Sequence, residues 1–165
     1  MVSSDKFEVV REMALRRLDR RAYSQAELKA VLLRRGADEE VVDQVLQRLA
    51  GVGLLDDKAY ASDLVEQGQG LRHLSRRAVV LDLQRRGLSP EVIDEVTIEL
   101  DDQADLAAAR QVAASKKGSL INLEPAVAWR RLTSALARKG YGPAVVYQVA
   151  NETLRETDNY LNFDQ

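Results

Sequence analysis

The phrase LLRRGADEEVVDQVL, beginning at Leu32, returns as LQRRGLSPEVIDEVT from Leu83 and as LARKGYGPAVVYQVA from Leu136. Its glycines, Gly36, Gly87 and Gly140, stand 51 and then 53 positions apart, a near-constant spacing that marks three homologous units of about 50 residues. Equivalent positions agree in chemistry: Leu32, Leu83 and Leu136 lie four residues before the glycine, and Val41, Val92 and Val145 five after it. A leucine before and a valine after a glycine stop describe two helices joined at a sharp turn.

The apolar spacing fills in the rest of each unit. Val9, Met13, Leu15 and Leu18 mark one helical stripe, and Leu28, Val31 and Leu32 the next, with Ser24 and Glu27 spaced as a capping box. Gly36 ends the second helix, Asp38 is placed to cap a third, and Val41, Val42, Val45, Leu46 and Leu49 give that third helix its buried face. Pro90 and Pro143 fall in the first turn of the corresponding helices, where a missing N–H costs least. Helices are therefore expected at roughly 8 to 20, 24 to 35, 38 to 51, 56 to 68, 75 to 86, 89 to 100, 102 to 116, 124 to 139 and 142 to 156. The fold class is all-α, with three tandem three-helix, helix-turn-helix-like repeats: residues 1–53, residues 54–100, and residues 101–165 with the C-terminal tail. Contacts mainly between sequence neighbours would make such an array elongated and gently curved.

Composition closes off several functions. The sequence has no cysteine and a single histidine, His73, so disulfides, thiolate catalysis and Cys-based zinc sites are excluded, and no metal or cofactor is expected. The apolar runs are far shorter than the roughly 20 residues of a membrane span, and Asp5, Glu8 and Glu12 occupy the stretch that a signal peptide would keep apolar. A cytoplasmic protein is expected. No nucleophile, base and metal constellation appears, so no catalytic residue is assigned and the chain reads as a binding protein.

Charge is segregated along the chain. Arg11–Gly36 holds eight basic and three acidic residues, and Asp38–Glu66 two basic and eight acidic. Gln67–Leu88 then holds five arginines against Asp82 alone, whereas Ser89–Leu106 has seven acids and no base. Second helices are thus basic and third helices acidic. In a helix-turn-helix DNA reader the helix after the turn meets phosphates, yet here it carries Glu39, Glu40, Asp43, Glu91, Asp94 and Glu95, which disfavours sequence-specific major-groove reading. The net charge of −2 also argues against binding duplex DNA through bulk electrostatics.

The arginines are the candidate contact residues. Arg34, Arg35, Arg85 and Arg86, like Arg138 and Lys139, sit in a last helical turn, where complementing the macrodipole is one sufficient reason for their charge. That reason fails for Arg72, Arg76 and Arg77, which lie at the front of a helix and point to an acidic partner. With Val79, Val80 and Leu83 as the buried side, Arg77 and Arg85 are expected to face outward within about 80° of each other. The binding set is accordingly Arg34, Arg35, Arg72, Arg76, Arg77, Arg85 and Arg86.

Other features read as structural. Asp56 and Asp57 stand where the fourth helix needs a cap, and His73 among arginines reads as a solvated surface residue. SKKGSL from Ser115 lacks phosphate-loop spacing and reads as a helix end, and Trp129 reads as core. Tyr160 and Phe163 are expected to pack back on the third repeat, with a docking peptide as the alternative.

Together YSQAELKAVLLRRG, GLLDDKAYASDLV and LQRRGLSPEVIDEV resemble the RecX regulators of the bacterial recombinase RecA, along the chain from Val9 to Leu154. The resemblance implies three tandem three-helix repeats, no catalytic activity, and binding within the groove of the RecA filament on single-stranded DNA. It further implies inhibition of RecA's ATP hydrolysis, strand exchange and promotion of repressor self-cleavage, and so effects on recombination, DNA repair and the SOS response. A monomer with weak direct nucleic-acid binding is expected. Two other readings of the residues stay open: an autonomous binder of single- or double-stranded DNA, which would show steep salt dependence without RecA, and a scaffold without effect on RecA.

Overall fold

The computed structural model describes residues 4–161, and α-helices dominate it: α1 (Ser4–Leu18), α2 (Gln25–Arg34), α3 (Glu39–Gly51), α4 (Asp57–Val65), α5 (Arg76–Arg85), α6 (Pro90–Val96), α7 (Asp102–Leu120), α8 (Pro125–Arg138) and α9 (Pro143–Leu161). Among the described residues there is no strand. The nine expected helices are all present. A π-helical segment, Glu66–Leu71, follows α4 where the sequence pattern ends a plain α-helix at 68. The chain groups into two compact units, one holding the residues up to Leu64 with Asp82–Val96, the other holding Val65–Leu81 with the residues from Thr97 onward.

In the first unit α1, α2 and α3 close on a core that includes Ala14, Leu28, Leu32, Val42 and Val45, each at most 1% exposed. Ser24 completes the capping box with Glu27, and Asp38 caps α3 through the N–H of Glu40 at 3.1 Å. In the second unit α7, α8 and α9 enclose Ala109, Leu132, Leu136, Val149 and Ala150. Trp129 packs at the edge of this core, edge-to-face with Tyr147 at 5.6 Å. SKKGSL does end its helix, but at its last residue rather than at the expected 116: α7 runs through Gly118 to Leu120, whose side chain is buried and anchors the extra turn. The side chain of Tyr160, and Phe163 altogether, lie outside the described residues.

The repeat phrase ends the second helix of each repeat in the same way. Gly36, Gly87 and Gly140 all take left-handed backbone, φ +83°, +75° and +95°, at the end of a second helix. In the first unit the hydroxyl of buried Ser24 donates to the Arg86 carbonyl, and the adjacent Gly87 lies so close that a Cβ there would come 2.5 Å from Ala26 Cβ. In the second unit the Ser75 N–H donates to the Lys139 carbonyl at 3.0 Å, and a Cβ on Gly140 would stand 2.5 Å from Ser75 Oγ. The Gly87 and Gly140 turns thus seat on the start of the preceding repeat's second helix, whereas Gly36 meets nothing within 4 Å.

Ser24 therefore serves two bonds at once, accepting from the Glu27 N–H and donating to the Arg86 carbonyl. Losing a cap costs about 1 kcal/mol, and stranding a buried acceptor about 1–3 kcal/mol. Ser24→Ala is accordingly expected to destabilise by roughly 2 kcal/mol or more, read as a lower urea midpoint at unchanged slope. A midpoint within error of the parent's would refute the double role.

Candidate protein and nucleic-acid interface

The seven arginines singled out by the sequence divide by environment. In the first unit Arg86 is committed to its own fold: its Nε meets Asp82 at 3.0 Å, its Nη1 meets the Tyr60 hydroxyl at 2.7 Å and Glu27 at 3.8 Å, and the guanidinium stands 5.9 Å from the Tyr60 ring centroid. Burial works against this charge, but Asp82 and Tyr60 outweigh it and hold the pKa above its ordinary value. Arg86 is therefore a packing residue rather than a free contact. Arg21 joins the same network through Glu27 at 3.4 Å and lies over the Tyr23 ring at 3.6 Å.

Arg34 and Arg85 stay exposed on the rim of a cleft of about 290 Å³ whose wall is that network. Neither forms an ion pair among the described residues. Arg35 turns the other way, into a cleft between α1 and α2 that it shares with Arg16, Arg17 and Arg20. Among the described residues, of those four only Arg16 has a carboxylate partner, Glu12, at a loose 3.4 Å. Arg17, in the last turn of α1, and Arg20, in the turn just past its end, belong to this cluster and were not singled out from sequence.

Arg72, Arg76 and Arg77 belong to the second unit. Their side chains are exposed and unpaired by acids among the described residues, while the backbone beneath them is pinned at several points. Lys139 Nζ donates to the Arg72 carbonyl at 2.6 Å, the Tyr141 hydroxyl to the His73 carbonyl at 2.5 Å, and the Arg76 N–H to Asp105 at 2.7 Å. Burial raises the Asp105 carboxyl above its usual range, and the Arg76 N–H offsets part of that. His73 is half-buried in left-handed backbone, φ +52°, and not the solvated residue expected. Held this way, the arginines present charge with little backbone freedom to lose on binding.

The two candidate caps have separate tasks. Asp56 caps α4, accepting from the Ala59 N–H at 3.0 Å, whereas Asp57 reaches across to the Gln25 N–H at 2.9 Å and holds the start of α2. On the acidic helices, Lys29 pairs with Glu39 and Asp43 at 3.0 and 2.7 Å, and Lys58 with Glu95 at 2.5 Å. Glu40, Glu91 and Asp94 remain exposed and unpaired among the described residues. No group of three or more His, Asp or Glu is placed to hold a metal ion among the described residues, and no described helix is long and apolar enough to cross a membrane. The surface is built for charge recognition.

Three family models match in order: the first RecX three-helix domain over residues 11–49, the second over 56–96 and the third over 103–150. The chain belongs to the RecX family. A protein named regulatory protein RecX from Amycolatopsis mediterranei is 35% identical over 152 residues, 92% of this chain and 87% of that one. One of the same name from Mycobacterium ulcerans is 37% identical over 143 residues, 86% and 83% of the two chains. The crystal structure of RecX from Lactobacillus salivarius superposes with a TM-score of 0.75 at 16% identity, covering 91% of this chain and 97% of that one, which shows the shared fold. Within the RecX repeats, Arg34 and Arg35 fall in the first three-helix domain and Arg72, Arg76, Arg77, Arg85 and Arg86 in the second.

Proposed function

We propose that this RecX-family protein is a negative modulator of RecA, a monomer of the cytoplasm that binds the RecA filament on single-stranded DNA along its groove. It inhibits ATP hydrolysis, strand exchange and coprotease activity, and thereby restrains recombination, DNA repair and the SOS response. It acts by occupancy and performs no turnover of its own. The observation that carries this reading is the match of all three RecX domains in order, joined to exposed arginines in each unit, Arg34 and Arg85 in the first and Arg72 and Arg77 in the second, that form no ion pair among the described residues. Exposed Glu40, Glu91 and Asp94 supply the opposite sign for basic patches on the same partner. Several weak contacts on one chain add through covalent linkage, so the repeats together bind where one alone would not.

The test compares binding to labelled single-stranded DNA with and without assembled RecA at physiological salt. The filament should bind at least about tenfold more tightly than the bare strand, since contacts to protein and to phosphate then add. Equal affinity in both arms would make the protein an autonomous DNA binder instead.

A further inference from the structure

The second unit holds a cleft of about 430 Å³ at the end of α7 and along α8, which no role above uses. Lys116, Arg130, Arg131 and Arg138 line it, with Ser119 and Ser134 between them, and among the described residues no carboxylate is part of the lining. The four cations are exposed and unpaired among the described residues. Their neighbours show that this is selective: Arg110 pairs with Glu152 at 2.9 Å and Lys117 with Glu156 at 3.0 Å, so α9 neutralises those two α7 cations and leaves Lys116 free.

Helix electrostatics does not account for the set. Arg138 closes α8, where a cation suits the macrodipole, but Arg130 and Arg131 lie in the N-terminal half of Pro125–Arg138, where that reason is absent. The repeat does not account for it either. Aligning Leu136 with Leu32 puts Arg130, Arg131 and Ser134 at the positions of Ala26, Glu27 and Ala30. In the first repeat Ala26 is covered by Gly87, whereas in the third the same helix face is open among the described residues and has acquired two arginines.

We infer that this cleft binds the phosphodiester backbone of nucleic acid without reading its sequence. Guanidinium, ammonium and hydroxyl donors are the groups that contact phosphate oxygens. Among the described residues no aromatic side chain lines the cleft for base stacking, and its leucines, Leu120 and Leu132, are buried at 4% and 1% exposure. Among the described residues the cleft offers charge and hydroxyls without an exposed aromatic anchor of the kind that dominates many protein interfaces. Arg131 and Arg138 are separated by about 10 Å along the helix, the rise of about three stacked nucleotides.

The test uses the full chain, a fluorescein-labelled oligothymidylate and no RecA, with anisotropy followed across a salt series. Arg130→Gln, Arg131→Gln and Arg138→Gln together should weaken binding at low salt by at least about tenfold and reduce the log–log salt slope by about 2, at about 0.7 per phosphate contact. Should the triple variant melt lower than the parent, Arg131→Gln alone reads the same effect as a slope change of about 0.7. Unchanged affinity and slope would overturn the assignment. So would labelled polyglutamate binding as tightly as the oligonucleotide with the same dependence on the three arginines, since the cleft would then serve an acidic protein segment.

Discussion

Gly140→Ala should destabilise the protein by about 3 kcal/mol or more, while Gly36→Ala should cost only about 1 kcal/mol. Both positions hold left-handed backbone, which costs an L-residue roughly 1–2 kcal/mol. Only at Gly140 does the new methyl also meet neighbours, 2.5 Å from Ser75 Oγ and 2.8 Å from Ala78 Cβ, and overpacking adds typically 1–3 kcal/mol. At Gly36 nothing lies within 4 Å. Gly87→Ala, 2.5 Å from Ala26 Cβ, should behave like Gly140→Ala. Urea unfolding of the variants separates the two terms, and equal losses at Gly36 and Gly140 would show that the glycine turn is not a packing joint.

The second large effect is on binding. Arg77→Glu combined with Arg85→Glu should weaken association with the RecA filament by at least about tenfold, since each charge-assisted contact is worth about 1.5–3 kcal/mol before any repulsion. Both side chains are exposed and make no ion pair among the described residues, so helicity and Tm should stay near the parent's. Glu91→Lys with Asp94→Lys, on the acidic face of α6, controls for a general charge effect and leaves the Lys58–Glu95 pair intact. An arginine variant that binds the filament like the parent, or that unfolds, would contradict the basic-helix account of the interface.

What could be read from the sequence was local. A helix shows itself through spacings of three and four residues, so Ser24, Glu27 and Asp38 declared their caps, and Gly36, Gly87 and Gly140 their turns, without reference to the rest of the chain. Helix ends set by distant packing did not. α6 stops at Val96, short of the expected 100, with Thr97 fully buried just beyond it, and α7 is carried to Leu120 by burial of that side chain. The site divides in the same way. That Arg77 and Arg85 face outward followed from the Val79 and Leu83 stripe, whose members are 2% and 0% exposed. That Arg86 turns inward did not, because its partners Tyr60 and Glu27 lie 26 and 59 positions away. The separation of Asp56 from Asp57 was equally hidden, since the Gln25 N–H that Asp57 serves is 32 positions distant.

The central claim, that this RecX-family chain restrains RecA, is tested most directly by RecA's ATP hydrolysis on single-stranded DNA as the protein is titrated in. Hydrolysis should fall at substoichiometric protein, because perturbing one stretch of a cooperative filament affects many protomers, and the Arg77→Glu, Arg85→Glu variant should require far more protein for the same effect. An unchanged hydrolysis rate at equimolar protein would contradict the account.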